Sequence, residues 1–296
     1  MKRFCALLCL LILLCCGCGT RELPAQVAAT TLPVYEFTTR LCHGTGITVT
    51  RLVTESVSCL HDYSLNVRQV KAAESAEFIV ISGAGLEEFM EDILHDKQLA
   101  DASFGISLLC PEEAEEHYHD HGDHGHEGHH HEEDPHIWLS PANAAVMAEN
   151  ICAGLCDRYP EHQDQFLANL DGLLSDIHAL QIYGKEVLSG LSCREMVTFH
   201  DGFSYFADAF GLTILEAVEE ESGSEASARE LKHLITLVRE HDLPAIFIEI
   251  NGSVSAAEVI ARETGAAVYP LDMAMSGESW FDAMYRNIDT IKEALG

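Results

Sequence analysis

EHQDQFLANLDGLLSDIHALQIYGKEVL, residues 161–188, is the longest periodic run in the chain. Apolar residues fall at Phe166, Leu170, Leu173, Ile177, Leu180 and Val187, with Gly184 in the place expected between the last two. Steps of three and four put them on one face of a helix. Pro160 precedes the run and Ser189-Gly190 ends it. About 28 residues rising 1.5 Å each give roughly 42 Å, as long as a whole lobe. The run is flanked on both sides by strand–helix alternation, so it reads as a strut joining two lobes.

Working outward, strands are predicted before the strut at 27–31, 47–53, 78–82 and 106–109. Helices are predicted at 33–43, at 64–73 with Ser64 or Asn66 near the cap, and at 143–159, with an amphipathic segment at 86–94. After the strut, strands are predicted at 196–199, 213–218, 245–250 and 267–271. Helices follow at 205–210, 226–241, 255–264 and 280–295, with an acidic, Gly/Ser-containing loop at 219–225. Strands separated by helices imply βα units and parallel sheets. The expected fold is α/β: two similar lobes, each a parallel four-stranded sheet flanked by helices, joined by one long rigid helix. The expected division is a targeting segment at 1–18, a first lobe at 19–159, the linking helix at 160–190 and a second lobe at 191–296. A strut of this length resists wide hinge closure, so ligand binding is expected to bring a modest tilt of the lobes.

The most unusual composition lies in HYHDHGDHGHEGHHH, residues 117–131. Eight of its fifteen residues are histidine: His117, His119, His121, His124, His126, His129, His130 and His131. Ten Asp or Glu residues lie between Glu112 and Asp134. Imidazole is the commonest side-chain ligand for borderline metals such as zinc. The segment 112–133 therefore reads as a metal-contacting insertion that has no core of its own. The whole chain has 17 basic and 48 acidic residues, a formal net charge of −31. Such a polyanion lacks the Lys and Arg that phosphate contacts need, which excludes nucleic-acid binding, and its field attracts cations. Hydrophobic residues make up 47% of the chain, enough for two cores.

Lys2 and Arg3 precede a short apolar stretch at 6–14, the pattern of an export signal too short to span a bilayer. Cys15-Cys16-Gly17-Cys18 resembles a bacterial lipobox, with Cys15 where Leu is usual. On that reading Cys18 carries lipid and tethers the mature chain outside the cytoplasmic membrane; plain secretion is the alternative. Six cysteines then remain, Cys42, Cys59, Cys110, Cys152, Cys156 and Cys193, with no CxxC among them. Cys152 and Cys156 share a helix face and read as two small buried residues rather than a metal site.

In open parallel sheets, ligands bind beyond the carboxyl ends of the strands. Four metal-type side chains follow predicted strands or the adjoining loops: His61, His136, His200 and Asp272. Each has a plain structural alternative. His61 could cap the helix beginning near Ser64, His136 could be a loop residue fixed by Pro135 and Trp138, His200 could begin a helix capped by Asp201, and Asp272 could be a turn residue before Ser276-Gly277. Jointly they are more telling, because two come from each half and a histidine-rich loop abuts one of them.

These residues also carry a resemblance. The mature chain resembles the metal-binding lipoproteins of ABC importers, the ZnuA-like solute-binding family. The likeness lies in Leu32-Pro33-Val34-Tyr35, His61-Asp62-Tyr63-Ser64, Gly83-Ala84-Gly85-Leu86-Glu87, His200-Asp201-Gly202-Phe203 and Tyr269-Pro270-Leu271-Asp272. Asp134-Pro135-His136-Ile137-Trp138-Leu139 is its most specific piece. The chain departs from the family at Leu60, Ala226 and Met273, where proline is usual. The resemblance implies His61, His136 and His200 as ligands, with Asp272 as the fourth or beside a water in its place. It also implies that Glu249 either ligates or lies behind a ligand; a helix cap or an arginine partner is its alternative.

Three imidazoles and one carboxylate suit Zn2+, whereas Mn2+ prefers more oxygen and six-coordination. Ligand imidazoles bind only when neutral, so affinity is expected to fall below about pH 6.5. The expected protein is therefore an extracytoplasmic, membrane-anchored, monomeric zinc-binding subunit that serves an ABC permease and is not an enzyme. The alternatives are a manganese-binding subunit or adhesin of the same family, an exported zinc enzyme and a passive metal buffer. The chain has no Gly-x-Ser-x-Gly motif.

Overall fold

The computed structural model describes residues 25–55, 60, 63–109, 133–218 and 227–296. In the first lobe, β1 (Val27–Ala29), β2 (Val49–Arg51), β3 (Phe78–Ile81) and β4 (Leu99–Asp101) form a sheet ordered β2-β1-β3-β4, every neighbouring pair parallel. Its helices are α1 (Leu32–Leu41), α2 (Val67–Ser75), the short α3 (Glu91–Leu94) and α4 (Pro141–Arg158). The strut is α5 (Gln163–Leu188). In the second lobe, β5 (Glu195–Thr198), α6 (Ser204–Phe210), β6 (Thr213–Ala217), α7 (Ala228–Glu240), β7 (Ala245–Glu249), α8 (Ser255–Thr264), β8 (Ala267–Leu271) and α9 (Trp280–Leu295) follow in turn. Their sheet is parallel and ordered β6-β5-β7-β8.

The two lobes thus share one strand order. In each, the chain steps outward from its first strand to its second, then crosses back to its third and fourth. That reversal leaves a crevice at the carboxyl ends of the first and third strands, where parallel sheets bind ligands. β1 is wholly buried and β3 almost so, consistent with strands covered by helices on both faces. The start of α2 is fixed by a capping box in which Asn66 accepts from the Gln69 N–H and the Gln69 side chain accepts from the Asn66 N–H.

The sequence misplaces the fourth strand. Residues 106–109 form no strand; Leu99–Asp101 pairs with β3 instead, Ile79 opposite Leu99. Only Ala100 of those three residues is buried, so no apolar run marks the strand. Ile106, Leu108 and Leu109 are half-buried against the core while Ser107 is exposed, which imitates strand alternation in irregular backbone. The expected amphipathic segment at 86–94 divides into a 3₁₀ turn, Glu88–Met90, and α3.

α5 spans about 39 Å and buries Phe166, Leu173, Ile177, Leu180, Gly184 and Leu188 along one stripe. It packs on α1 and α4 of the first lobe and on α6 and α9 of the second. A Cβ at Gly184 would lie 2.3 Å from Phe210 Cε1, so glycine is what lets α5 approach the second lobe. A single apolar core, containing Phe37, Trp138, Phe206 and Trp280, runs through both lobes. Polar ties cross the same boundary. The Leu32 N–H donates to Met275 O at 3.2 Å, Trp138 Nε1 to Met273 O at 2.7 Å, and Arg51 to Gly277 O at 2.7 Å. The Glu36 carboxylate accepts from the Trp280 N–H and the Ser279 hydroxyl. This continuous packing opposes wide hinge motion. Among the described residues no helix is long and apolar enough to cross a membrane.

Candidate metal centre

His136 and His200 meet between the lobes. His136 stands just before a 3₁₀ turn, Ile137–Leu139, and is 2% exposed. His200 leaves the end of β5 and precedes a second 3₁₀ turn, Asp201–Phe203, to which it gives no side-chain cap. Their Nε2 atoms lie 3.3 Å apart, with the ring planes at 84°. Each imidazole is backed by a carboxylate on its other nitrogen. Asp134 Oδ1 lies 2.7 Å from His136 Nδ1 and also accepts the His136 backbone N–H at 2.9 Å. Glu249 Oε1, at the end of β7, lies 3.4 Å from His200 Nδ1. These carboxylates are buried, so their interaction with the rings is little screened.

Gly202 is what allows the two rings to approach. A Cβ there would fall 2.8 Å from His200 Cδ2 and 3.0 Å from His136 Cγ. The Trp138 ring packs edge-on against His136, their centroids 5.4 Å apart.

Asp272 follows β8 but is held differently. Its Oδ2 accepts from Arg286 at 2.9 Å and its Oδ1 from the Ala274 N–H at 2.9 Å. Asn287 brackets its backbone, accepting from the Asp272 N–H and donating to its carbonyl. The residue lines an inter-lobe pocket of about 420 Å³ with Arg51, Thr54, Ile250 and Gly277. Its carboxylate therefore carries a guanidinium and a turn N–H. Glu249, for which a helix cap or an arginine was the plain alternative, faces an imidazole.

His61, the loop histidines 117–131 and Cys18 lie outside the described residues. Among the described residues, no group of three or more His, Cys, Asp or Glu side chains could hold a metal ion. The structure thus brings two of the four expected ligands together, His136 and His200. Asp134 and Gly202 were read in the sequence only as parts of motifs. The signal for Asp134 was its spacing, since an Asp two residues before a His can accept that residue's backbone N–H in an Asx turn.

The equivalent crevice of the first lobe is closed by a different knot. The Thr31 and Ser82 hydroxyls lie 2.8 Å apart. The Glu87 carboxylate accepts from Thr30 Oγ1 at 2.6 Å, the Ser82 N–H at 2.7 Å and the Gly83 N–H at 3.0 Å. Burial pushes the Glu87 carboxyl up to about 7, against the lowering effect of those three donors.

Two parallel α/β lobes are locked by a long helix, and one imidazole from each meets the other at the crevice between them. Residues 27–294 match the family described as ZnuA, zinc-uptake complex component A, periplasmic, and the chain belongs to that family. It is 30% identical over 302 residues to the zinc-binding lipoprotein AdcA of Streptococcus pneumoniae serotype 4, a match covering 97% of this chain and 59% of that relative. The chain therefore spans about three fifths of that relative's length. It is 27% identical over 309 residues to the high-affinity zinc uptake system protein ZnuA of Bacillus subtilis strain 168, covering 97% and 95% respectively. A crystal structure of ZnuA superposes with a TM-score of 0.77 at 29% identity, covering 92% of this chain and 100% of the other. The family and the paired four-stranded lobes expected from the sequence are thus the ones found.

Proposed function

We propose that the chain is an extracytoplasmic zinc-binding subunit that holds one Zn2+ between its lobes and delivers it to an ABC permease. The observation that carries this reading is the 3.3 Å between His136 Nε2 and His200 Nε2. Tetrahedral zinc with nitrogen arms of about 2.0–2.1 Å separates its ligand nitrogens by roughly 3.3–3.4 Å. The pair is therefore already spaced as one edge of a zinc tetrahedron. The carboxylates behind the rings support the same reading: an Nδ1–H donated from His136 to Asp134 leaves the Nε2 lone pair free for metal and makes it more basic, and Glu249 lies 3.4 Å from the corresponding nitrogen of His200.

His61 supplies the third nitrogen in this account. The fourth position falls to Asp272, whose Arg286 partner must then yield, or to a water beside it. Manganese fits less well, because both described ligands are imidazoles and the nearest carboxylates lie behind the rings, on the Nδ1 side away from the shared Nε2 edge. The same placement argues against an enzyme, since a catalytic zinc needs a general base beside an open position. Residues 126–130 spell His-Glu-x-x-His, a zinc-enzyme motif only where a helix carries it, and lie outside the described residues. The names of the relatives, zinc-binding and zinc uptake, agree with the choice of metal.

Residues 1–18 direct export and Cys18 anchors a monomer to the membrane. Residues 19–159 and 191–296 form the lobes joined at 160–190, and His117 to His131 collect metal weakly. The test is the metal content of the purified chain and of His136→Ala, His200→Ala and His61→Ala. One tight zinc equivalent is expected in the parent and none in the variants. Tight zinc surviving in the His136→Ala, His200→Ala double variant, or manganese retained in preference to zinc, overturns the reading.

A further inference from the structure

We propose that Tyr205 is a positioning residue for metal binding, its hydroxyl holding the Asp134–His136 segment in register with the helix that follows His200. The inference rests on His136 and His200 being zinc ligands. Tyr205 lies on α6, five residues after His200, and is 4% exposed. Its hydroxyl accepts the Leu109 N–H at 2.9 Å and donates to the Asp134 carbonyl at 2.9 Å. Leu109 and Asp134 are themselves paired, the Asp134 N–H donating to Leu109 O at 2.9 Å. Two backbone groups of the first lobe, from residues themselves paired, thus meet one phenol of the second.

Asp134 then passes the constraint on. Its carboxylate takes both the backbone N–H and Nδ1 of His136. A shift of the Asp134 backbone therefore turns the His136 ring. The Leu109–Asp134 pair lies wholly within the first lobe and cannot by itself set a distance to His200. Tyr205 is covalently close to His200 and touches that pair directly. A run from His200 through α6, Tyr205 and Asp134 to His136 closes a circuit around the two imidazoles. Each link in it is a hydrogen bond of 2.7–2.9 Å or a short stretch of chain. Tyr205 bears on where the ligand sits, not on the metal itself.

The test is Tyr205→Phe in the full chain, which removes the hydroxyl and keeps the buried ring. Three properties are read: zinc affinity by competition with a chromophoric chelator, the visible spectrum of the cobalt(II)-loaded chain, and the melting temperature without metal. Removing a group that orients a ligand weakens metal binding by about 10- to 100-fold, and Tyr205→Phe is expected at the lower end. The intense bands of tetrahedral cobalt are expected to weaken while the metal-free melting temperature changes little. In an Asp134→Ala background, where the carboxylate that transmits the effect is gone, Tyr205→Phe is expected to add less than about twofold. Zinc affinity within twofold of the parent overturns the proposal. So does a tenfold loss that persists undiminished in the Asp134→Ala background, because the hydroxyl would then act only on the fold. His136→Ala separates this from the site itself. If His136→Ala abolishes tight zinc and Tyr205→Phe does not weaken it, the site stands and Tyr205's role falls; if His136→Ala keeps tight zinc, both fall.

Discussion

Replacing Gly202 by alanine should separate zinc affinity from folding. The added Cβ would lie 2.4 Å from Met273 Cε, 2.8 Å from His200 Cδ2 and 3.0 Å from His136 Cγ. Gly202 is not among the positive-φ glycines, so alanine's backbone fits and the effect is steric. The Met273 methyl can swing aside. The rings cannot move as freely, because Asp134 holds His136 Nδ1 at 2.7 Å and the Glu249 carboxylate lies against His200 Nδ1. Restoring ordinary contacts of 3.4–4 Å requires the rings to part by roughly 0.5–1 Å. Opening the nitrogen pair from 3.3 Å to about 3.9 Å, with bonds of about 2.05 Å, widens the N–Zn–N angle from near tetrahedral to roughly 145°. The metal-free chain can leave the rings apart, whereas the loaded chain must force them together, so the strain appears on binding. Overpacking of this kind costs about 2 kcal/mol, a loss of about 30-fold in affinity. Chelator competition measures it, with a metal-free melting curve as the control. A Gly202→Ala chain that melts like the parent and binds zinc within threefold of it refutes the steric argument.

Glu87 gives a pH prediction. Its folded value of about 7 lies above the ordinary 4.5, so between those values the folded state keeps a proton that the unfolded state has released. That stability is present at low pH and is lost as pH rises through about 7. Glu87→Gln cannot titrate, so from about pH 5 to pH 8 the variant's melting temperature should gain on the parent's; a constant difference contradicts it. Deleting residues 112–133 should leave one tight zinc equivalent and remove only weaker binding, read by calorimetric titration; loss of the tight equivalent would move the main site into the loop. Zinc should leave the small-angle scattering profile of the chain nearly unchanged, because α5 and one shared core join the lobes; a large compaction on loading refutes the rigid strut.

The parts of the fold legible in the sequence were those with local signals. α5 announces itself by an unbroken 3.6-residue period, and α8, β8 and α9 by sharp ends at Gly265 and at the Ser279 cap. β4 was not legible, because its three residues offer a single buried alanine and its pairing with β3 is set by the sheet. The same division holds at the site. His136 and His200 could be picked out as imidazoles beyond strand ends, but their meeting joins residues 64 apart in sequence. The supporting roles of Gly202 and Tyr205 depend on contacts that exist only once the lobes are packed, whereas that of Asp134 is local and shows in its spacing from His136. Asp272 was legible as a strand-end carboxylate, but not the Arg286 that holds it.

The central claim is that His136 and His200, spaced by the fold, form one edge of a zinc tetrahedron. Zinc-edge X-ray absorption of the loaded chain lacking residues 112–133 tests it most directly. Four ligands at about 2.0–2.1 Å are expected, with outer-shell scattering from three imidazoles that falls to two in the weak complex His200→Ala forms with excess zinc. A six-coordinate oxygen shell, or an imidazole count unchanged by His200→Ala, would contradict it.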